Sequence, residues 1–391
     1  MKEQAIIEKV RIIEVNMPFT NHIQVGESSN KLRKSLIIEL HSEGIIGYGE
    51  SAPYGEPFYS GETISTVKPI LKENILPKIV GKEISSIEQL NQLINTQIKG
   101  NNFAKAGVET AYWDLIAKKR NIPLKQLIHE KLMEIGVNDP SLNNTNYILS
   151  GAAMGIPPGE KEDNLVEQVK SALEEGYQKI KIKVSPGFDI NAIEKVLKVI
   201  PDDINFWMDA SASYNIKNHL PILKQIDSYN IDFLEQPLAH DDILEHSQLS
   251  QEVTTPICLD ESLYSAKIAE NSLGLGFNQI WNIKIQRIGG LLEALKIYKL
   301  ASENNVSVWG GTMPETGIGA IFMLALGTYS NFTYPSDVAD STKWYGNNND
   351  LKDLKMTGEG KIFYSDEIGI GEINHYNYRK YGHLVHEVNG Y

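Results

Sequence analysis

The segment Ile231-Asp232-Phe233-Leu234-Glu235 lies in the middle of the 391-residue chain and is a short apolar run that ends in a carboxylate. Similar apolar runs lie on both sides of it along the chain. The charged residues that end these runs are Lys183, Asp209, Glu235, Asp260 and Lys284. Their spacing is about 25 residues, the length of one strand, one helix and two loops in a (β/α) barrel. We therefore predict a barrel of parallel strands whose active-site rim carries these five residues.

A charged residue after a strand is, taken alone, most often a solvated surface residue. Five in register are harder to explain in that way. The runs before Asp209, Glu235 and Asp260 are also apolar, as expected of strands that helices cover on both faces. Three carboxylates at one rim can hold a hard divalent cation, with Mg²⁺ as the first choice and Mn²⁺ as the second. The pattern therefore predicts a metal site flanked by two lysines.

A metal held in this way can bind a substrate carboxylate and stabilise the enediolate that forms when the adjacent carbon loses a proton. A lysine is a usable base for that proton only if burial or a neighbouring cation lowers its pKa. Lys181 and Lys183 alternate along one strand and so share a face. We predict that Lys183 is the base, that Lys181 is the neighbouring cation, and that Lys284 acts from the other side.

The composition excludes several classes of partner. A net charge of −13 argues against nucleic acid and anionic membranes, since both bind basic surfaces. The first residues lack a signal-peptide core, and no apolar run approaches membrane-spanning length. The single cysteine, Cys258, leaves no disulfide framework. We expect a cytoplasmic protein that acts on a small-molecule carboxylate.

Only the later part of the chain carries the repeat of strand and helix. Strand-like alternation in the first 50 residues and a helical apolar stripe over residues 104–119 predict a separate α+β domain. We place this domain at residues 1–140, completed by the tail 348–391. A linker-like stretch at 137–145 marks its end.

The barrel is predicted over residues 141–347. Its first strand is placed at 146–150, followed by a long loop at 151–162, and its eighth strand at 332–334. In the N-terminal part, residues 18–31 have no periodicity and are predicted to be a loop, mobile if exposed.

The glycine-rich segment 310–319 follows the predicted seventh strand and opens a helix. Small residues let a ligand approach the backbone, and the free N–H groups of a helix N-terminus attract an anion. An ordinary turn between strand and helix is the alternative. The segment lacks the glycine spacing of a dinucleotide-binding motif, so no such cofactor is predicted.

The motifs at the ends of the predicted strands resemble those of the enolase superfamily, in its muconate-lactonizing subgroup, over nearly the whole chain. They are Lys181-Ile182-Lys183, Met208-Asp209-Ala210, Leu234-Glu235-Gln236-Pro237, Leu259-Asp260-Glu261-Ser262 and Asn282-Ile283-Lys284. The resemblance implies an α/β fold, a (β/α)7β TIM-like barrel with an α+β capping domain. It also implies Mg²⁺ at Asp209, Glu235 and Asp260, acid/base roles for Lys183 and Lys284, and a homo-oligomer.

Within that subgroup, residues 282–290 and 332–337 resemble the o-succinylbenzoate synthase and N-acylamino acid racemase branch. The resemblance implies synthase-like dehydration, with racemisation or a related reaction on another acid as alternatives. The residues that it places around the substrate are Tyr54, Ser150, Ser211, Arg287, Thr312, Met313 and Pro314. Ser211, Thr312 and Pro314 depart from the usual pattern of the branch, so the substrate stays open. A degenerate member that only binds ligands is the alternative outside the enzymes, although the metal and lysine positions are intact.

Two further residues bear on the choice between these reactions. Dipeptide epimerases carry Asp-x-Asp after the eighth strand, whereas Pro335 here leaves only Asp337, which argues against a dipeptide. Arg287 has two interpretations. Its guanidinium can favour proton loss from Lys284 by like-charge repulsion, as a racemase requires, or it can pair with a neighbouring acid.

Overall fold

The computed structural model describes residues 3–25, 28–137, 145–159, 161–347 and 349–390. The strands of the N-terminal part are β1 (Ala5–Ile6), β2 (Lys9–Val25), β3 (Ser28–Ser42), β4 (Ile45–Ser51) and β5 (Glu83–Ile84). Its helices are α1 (Ile64–Pro69), continued through a π-helical stretch (Ile70–Ile75) into α2 (Leu76–Ile79), then α3 (Ile87–Asn95), α4 (Asn102–Lys119) and α5 (Leu124–Glu134). The predicted linker at 137–145 lies almost entirely outside the described residues.

The middle of the chain alternates strands and helices. Its strands are β6 (Tyr147–Leu149), β7 (Ala152–Met154), β8 (Lys179–Lys183), β9 (Asn205–Asp209), β10 (Leu234–Glu235), β11 (Ile257–Leu259), β12 (Gln279–Ile283) and β13 (Val308–Gly310). Its helices are α6 (Glu162–Glu174), α7 (Ile190–Leu197), α8 (Ile216–Ile226), α9 (Ile243–Leu249), α10 (Ala266–Leu273), α11 (Ile285–Ile288), α12 (Leu291–Glu303) and α13 (Gly317–Leu326). The tail adds α14 (Ser341–Tyr345), β14 (Lys361–Phe363), α15 (His375–Tyr381) and β15 (Gly382–Asn389). Among the described helices, none has the length and apolar character needed to cross a membrane.

Strands β7 to β13 form one parallel sheet in chain order, as the repeat predicts. Lys183 pairs with Asp209, and Asp209 pairs with Glu235 on the next strand. Because the strands are parallel, their carboxyl ends meet at one edge. The predicted site residues on β8, β9 and β10 are therefore neighbours in the sheet.

The predicted first strand and the loop after it need correction. Tyr147–Leu149 pairs antiparallel with Lys361–Phe363 of the tail, and the first strand of the parallel sheet is Ala152–Met154, which lies within the predicted loop. Both segments are short and apolar, and only a partner more than 200 residues away distinguishes them. Periodicity alone does not carry that information.

The predicted eighth strand is present only as isolated contacts. Phe332 and Ser336 each form one parallel bridge, to Val308 of β13 and to Ser150 beside β7. The segment therefore connects the two outer strands of the sheet without a continuous ladder of its own. Pro335 lacks the N–H that a ladder needs, which explains the interruption.

The N-terminal sheet has the antiparallel order β15-β2-β3-β4, so the tail returns to the start of the chain. Helix α4 packs closely against β4, where two strand residues are glycines. A Cβ atom at Gly49 would lie 2.2 Å from the carbonyl oxygen of Gly107, and one at Gly47 would lie 2.3 Å from that of Ala111. Glycine is therefore required for this contact.

The prediction of a loop at 18–31 is wrong for the described residues of that range. Strands β2 and β3 continue as a paired ribbon, with Pro18 opposite Leu32 and, after an irregularity, Ile23 opposite Asn30 and Val25 opposite Ser28. The two strands pair through their backbones although the sequence of this range has no alternating apolar pattern. The sequence signal on which the prediction depended is therefore absent although the strands form.

Three buried acids cap helices of the middle part. Glu109 of α4 accepts hydrogen bonds from the backbone N–H groups of Leu291 and Leu292 at the start of α12. Two further acids do the same at the start of α13. Glu50 of β4 accepts a hydrogen bond from the backbone N–H of Thr316, and Asp350 of the tail accepts one from that of Gly317. Carboxylates suit helix N-termini because the free N–H groups there carry partial positive charge. These bonds fix the N-terminal part and the tail against the parallel sheet.

We expect Asp350→Asn to remove part of the pH dependence of stability. Burial raises the pKa of Asp350 to about 7, against about 4 in the unfolded chain. A raised pKa means that the folded chain binds this proton more tightly, so the stabilisation is complete below pH 4 and lost as the pH rises through 7. Denaturant unfolding at pH 5 and pH 8 should show a smaller change for the variant, by on the order of 2–4 kcal/mol. An unchanged pH slope would contradict this assignment.

Candidate active site

The five residues predicted to share a rim lie at the carboxyl edge of five successive strands. Asp209 and Glu235 end β9 and β10, and Asp260 follows β11. Lys183 ends β8 and is exposed, whereas Lys284 follows β12 and is 6% exposed. Strands β9, β10 and β11 separate the two lysines in the sheet. The geometry thus places one lysine on each side of three carboxylates.

Glu235 is fully buried and is held by three donors. The indole N–H of Trp207 donates to Oε2 at 3.0 Å, and the amide of Asn282 donates to Oε1 at 3.1 Å. The Lys181 ammonium lies 3.4 Å away. Burial raises the pKa of Glu235 to about 7 because the charged form loses its hydration. This carboxylate therefore requires a nearby positive charge to stay ionised.

Asp209 is oriented by the residue that follows its strand. Both the backbone N–H and the hydroxyl of Ser211 donate to Asp209 Oδ1, at 2.8 and 2.9 Å. Burial opposes ionisation, but the charges of Lys181 and Lys183 lower the pKa of Asp209. Ser211 thus contacts the carboxylate in this structure. Its predicted contact with a substrate stays a prediction.

Asp260 joins two cations. Lys284 Nζ lies 2.7 Å from Oδ2, and Arg287 donates to Oδ1. Burial opposes ionisation, but Lys284 and Arg287 lower the pKa of Asp260 to about 2. Conversely, burial would lower the pKa of Lys284, but Asp260 outweighs it and raises this pKa well above its ordinary value. Lys284 is therefore an ammonium in this arrangement.

Arg287 pairs with a neighbouring acid, Asp260, which is the second of the two interpretations given above. Besides its bond to Asp260, its Nε donates to the carbonyl of Leu263 at 3.0 Å and its Nη1 to the hydroxyl of Tyr59 at 3.1 Å. The same hydroxyl lies 3.3 Å from Lys284 Nζ. Its like charge opposes protonation of Lys284, but Asp260 outweighs that effect, and the predicted tuning of Lys284 by Arg287 stays a prediction. Tyr59 is a contact that the sequence did not indicate.

One ionic residue of the sheet, Lys179, was not predicted. Lys179 is fully buried, forms an ion pair with Asp337, and lies 4.6 Å from the ring centre of Trp207 and 4.7 Å from that of Trp309. Burial lowers the pKa of Lys179 to about 8. A signal did exist, because Lys179 continues the alternation of Lys181 and Lys183 on one face of β8.

The other residues predicted to line the substrate are distributed between the two parts of the chain. Ser150 is fully buried, and its hydroxyl donates to the carbonyl of Val338 at 2.6 Å. Met313 is also buried. Thr312 and Pro314 line a cavity that Asp337 also borders. A substrate contact for Ser150 or Met313 would require these side chains to become accessible, and all four contacts stay predictions.

A buried arginine, Arg33, links Tyr54 to the same region. Arg33 donates to the carbonyls of Met313 and Pro314, each at 2.9 Å, and lies 5.5 Å from the ring centre of Tyr54. It therefore connects β3 to the glycine-rich segment. Sequence analysis had no signal for Arg33, because its acceptors are backbone carbonyls far along the chain.

The three carboxylates fit a divalent cation by their chemistry. Among the described residues no three acids, histidines or cysteines stand close enough to form a metal cluster. Instead, Lys181 compensates Asp209 and Glu235, and Lys284 compensates Asp260. Buried carboxylates on neighbouring strands that attract cations are the donor set that Mg²⁺ prefers. Asp209, Glu235 and Asp260 would hold the ion, and the lysines would have to yield these positions.

Comparison with known proteins matches both parts of the chain to known families. The family described as mandelate racemase / muconate lactonizing enzyme, N-terminal domain, matches residues 7–129, and the family described as enolase C-terminal domain-like matches residues 164–373. The chain is 35% identical over 381 residues to the o-succinylbenzoate synthase of Bacillus subtilis, covering 96% of each chain. It is 33% identical to the N-succinylamino acid racemase of Thermus thermophilus, covering 93% of each chain.

Solved structures show the same fold. A member of the enolase superfamily from Listeria innocua superposes with a TM-score of 0.89 at 30% identity, covering 98% of this chain and 99% of that one. The muconate lactonizing enzyme of Pseudomonas fluorescens superposes with a TM-score of 0.85 at 20% identity, covering 97% of this chain and 100% of that one, and supports the fold alone. The chain therefore belongs to the mandelate racemase / muconate lactonizing enzyme family of the enolase superfamily and is a lyase or isomerase of that superfamily.

Proposed function

We propose that this protein is a Mg²⁺-dependent o-succinylbenzoate synthase, which removes the proton next to a substrate carboxylate and then eliminates water. The observation that carries the proposal is the pair of lysines, Lys183 and Lys284, on either side of Asp209, Glu235 and Asp260. Similarity to the Bacillus subtilis synthase over nearly the full length supports the choice of reaction.

The lysines differ in the way that dehydration requires. Lys183 is exposed at the end of β8 and so can reach a bound acid as the base. Lys284 is buried against Asp260 and charged, so it stabilises negative charge on the substrate without moving a proton. Lys183 would then return its proton to the departing hydroxyl. A bound Mg²⁺ would supply further positive charge to the substrate carboxylate.

Racemisation of an N-succinylamino acid is the second candidate. It requires Lys284 to act as a neutral base in one direction, which its contact with Asp260 opposes. The observation in its favour is Arg287, which shares Asp260 with Lys284 and whose like charge opposes protonation of that lysine, although the pKa of Lys284 remains raised. Relatives carry either name, with identities of 33–35%. A related acid with altered specificity is the third option that the departures at Thr312 and Pro314 leave open.

We also propose the domain division that the sequence suggested. Residues 1–140 with the tail 348–391 would form the capping domain, which the pairing of β15 with β2 supports. Residues 141–347 would form a (β/α)7β barrel that segment 332–336 closes through its bridges to both outer strands.

A substrate screen in D₂O tests the proposed reaction. The purified enzyme with Mg²⁺ would be given the hydroxylated precursor of o-succinylbenzoate and, separately, a panel of N-succinylamino acids of both configurations. We expect formation of the aromatic product, followed by its ultraviolet absorbance, to be the fastest reaction. Deuterium exchange and loss of optical activity in the N-succinylamino acids without any dehydration would instead establish the racemase. Failure of every substrate would favour the third option.

A further inference from the structure

Lys181 occupies a position between three carboxylates. Its ammonium lies 3.4 Å from Asp209, 3.4 Å from Glu235 and 3.3 Å from Asp337. The residue as a whole is only 5% exposed. Two of these acids belong to the proposed metal site, and the third, Asp337, follows the predicted eighth strand. Lys181 therefore competes with any cation that Asp209 and Glu235 are to bind.

Asp337 is itself held in place by other groups. Lys179 forms an ion pair with its Oδ1, while Lys181 binds its Oδ2. Lys179 is fully buried, and its ammonium lies against the indole rings of Trp207 and Trp309. The two lysines lower the pKa of Asp337, although burial opposes them. The negative charge of Asp337 is thus compensated in part by Lys179, independently of Lys181.

A dication at Asp209 and Glu235 would repel the ammonium that now lies between them. Like charges at such short range repel each other strongly, and the double charge of the ion doubles that repulsion relative to a single charge. Lys181 cannot leave for water because it is buried. It can, however, keep its bond to Asp337 while it gives up the other two. No other acid is paired with Lys181 among the described residues.

We propose that Asp337 is a positioning residue that holds Lys181 away from Asp209 and Glu235 when the metal binds. When the ion binds, Asp209 and Glu235 contact the metal instead of Lys181. The contact between Lys181 and Asp337 remains. The same movement sets where the Lys181 ammonium stands relative to a substrate carboxylate. Asp337 would therefore contribute to metal affinity without being a ligand.

This inference rests on the metal assignment in the proposed function, so the test measures metal binding without substrate. Titration calorimetry with Mg²⁺, repeated with Mn²⁺, would give the dissociation constant of the purified protein and its variants. We expect Asp337→Asn to weaken binding about tenfold, because Lys181 then retains only the metal carboxylates as partners. Lys181→Met should tighten binding by about fivefold or more, since it removes the competitor.

The double variant separates positioning from a general loss of charge. In the Lys181→Met background, Asp337→Asn should change the dissociation constant by less than about twofold, because there is no ammonium left to position. A similar tenfold loss in both backgrounds would mean that Asp337 acts on the ion directly, and the proposal would be wrong. An unchanged dissociation constant for Asp337→Asn alone would also overturn it.

Two matched controls complete the series. Lys183→Met removes the same charge from the exposed end of the same strand and should tighten binding less than Lys181→Met. Asp340→Asn removes an acid three residues beyond Asp337 that caps α14, and should leave the affinity nearly unchanged. Thermal unfolding of each metal-free variant would show which of them fold. If the unmodified protein bound no Mg²⁺, the proposed function would fail; if it bound Mg²⁺ without coupling between Asp337 and Lys181, only this inference would fail.

Discussion

Glu235→Gln should abolish turnover while the protein still folds. The substitution keeps the shape of the side chain but removes the central charge of the three carboxylates on β9, β10 and β11. We expect catalysis to fall by about a thousandfold or more, because metal binding and the stabilisation of negative charge on the substrate both depend on that site. Initial rates and Mg²⁺ affinity measure the two effects separately. Chelation of the unmodified enzyme should have the same effect on turnover, and added Mg²⁺ or Mn²⁺ should reverse it.

The structure also predicts a cost in stability for this variant. Both oxygens of Glu235 accept N–H donors, from Trp207 and Asn282. An amide can accept only one of them, so a buried donor loses its partner at a cost of about 1–3 kcal/mol. Glu109→Gln is the matched control, because Glu109 is also fully buried and also accepts from an indole, that of Trp113. The control should lose similar stability and keep its activity. Full activity of Glu235→Gln, or of the exhaustively chelated enzyme, would contradict the metal assignment.

The order of the sheet and the placement of its site could be predicted because both follow from local pattern. An apolar run that ends in a charge indicates where a buried strand emerges, and parallel strands bring such ends together. No long-range information is needed for this prediction. Asp209, Glu235 and Asp260 lie at the ends of neighbouring strands with one lysine on either side, as the spacing predicted.

The contacts between distant parts of the chain could not be predicted in this way. Asp337 pairs with Lys179 across 158 residues, and Arg33 reaches carbonyls 280 residues away. Such pairs have no signature in periodicity, since either partner alone resembles a surface charge. Pro335 shows the opposite case, because its missing N–H is visible in the sequence but was not used when an eighth strand was predicted at 332–334.

If the protein is the racemase rather than the synthase, Lys284 must also act as a base, and the two lysines should then be separable by the enantiomer on which each acts. For an N-succinylamino acid in D₂O, Lys183→Ala should stop exchange of the α-proton in one enantiomer, and Lys284→Ala should stop it in the other. The reason is their placement on either side of the carboxylates, with three strands between them. Loss of a positioned base typically lowers such a rate by about 10²- to 10⁴-fold. Proton nuclear magnetic resonance of each pure enantiomer measures the exchange directly.

Arginine variants distinguish proton transfer from charge in this experiment. The substitutions Lys183→Arg and Lys284→Arg keep the positive charge. The arginine side chain cannot act as a base, because it stays protonated in the accessible pH range. Each should lose exchange of the same enantiomer as its alanine counterpart. Because Asp260 keeps Lys284 charged, exchange that begins at Lys284 should also rise with pH, as its neutral fraction increases. Equal loss for both enantiomers in every variant would mean that the lysines act as one unit, and the assignment of one lysine to each side would be wrong.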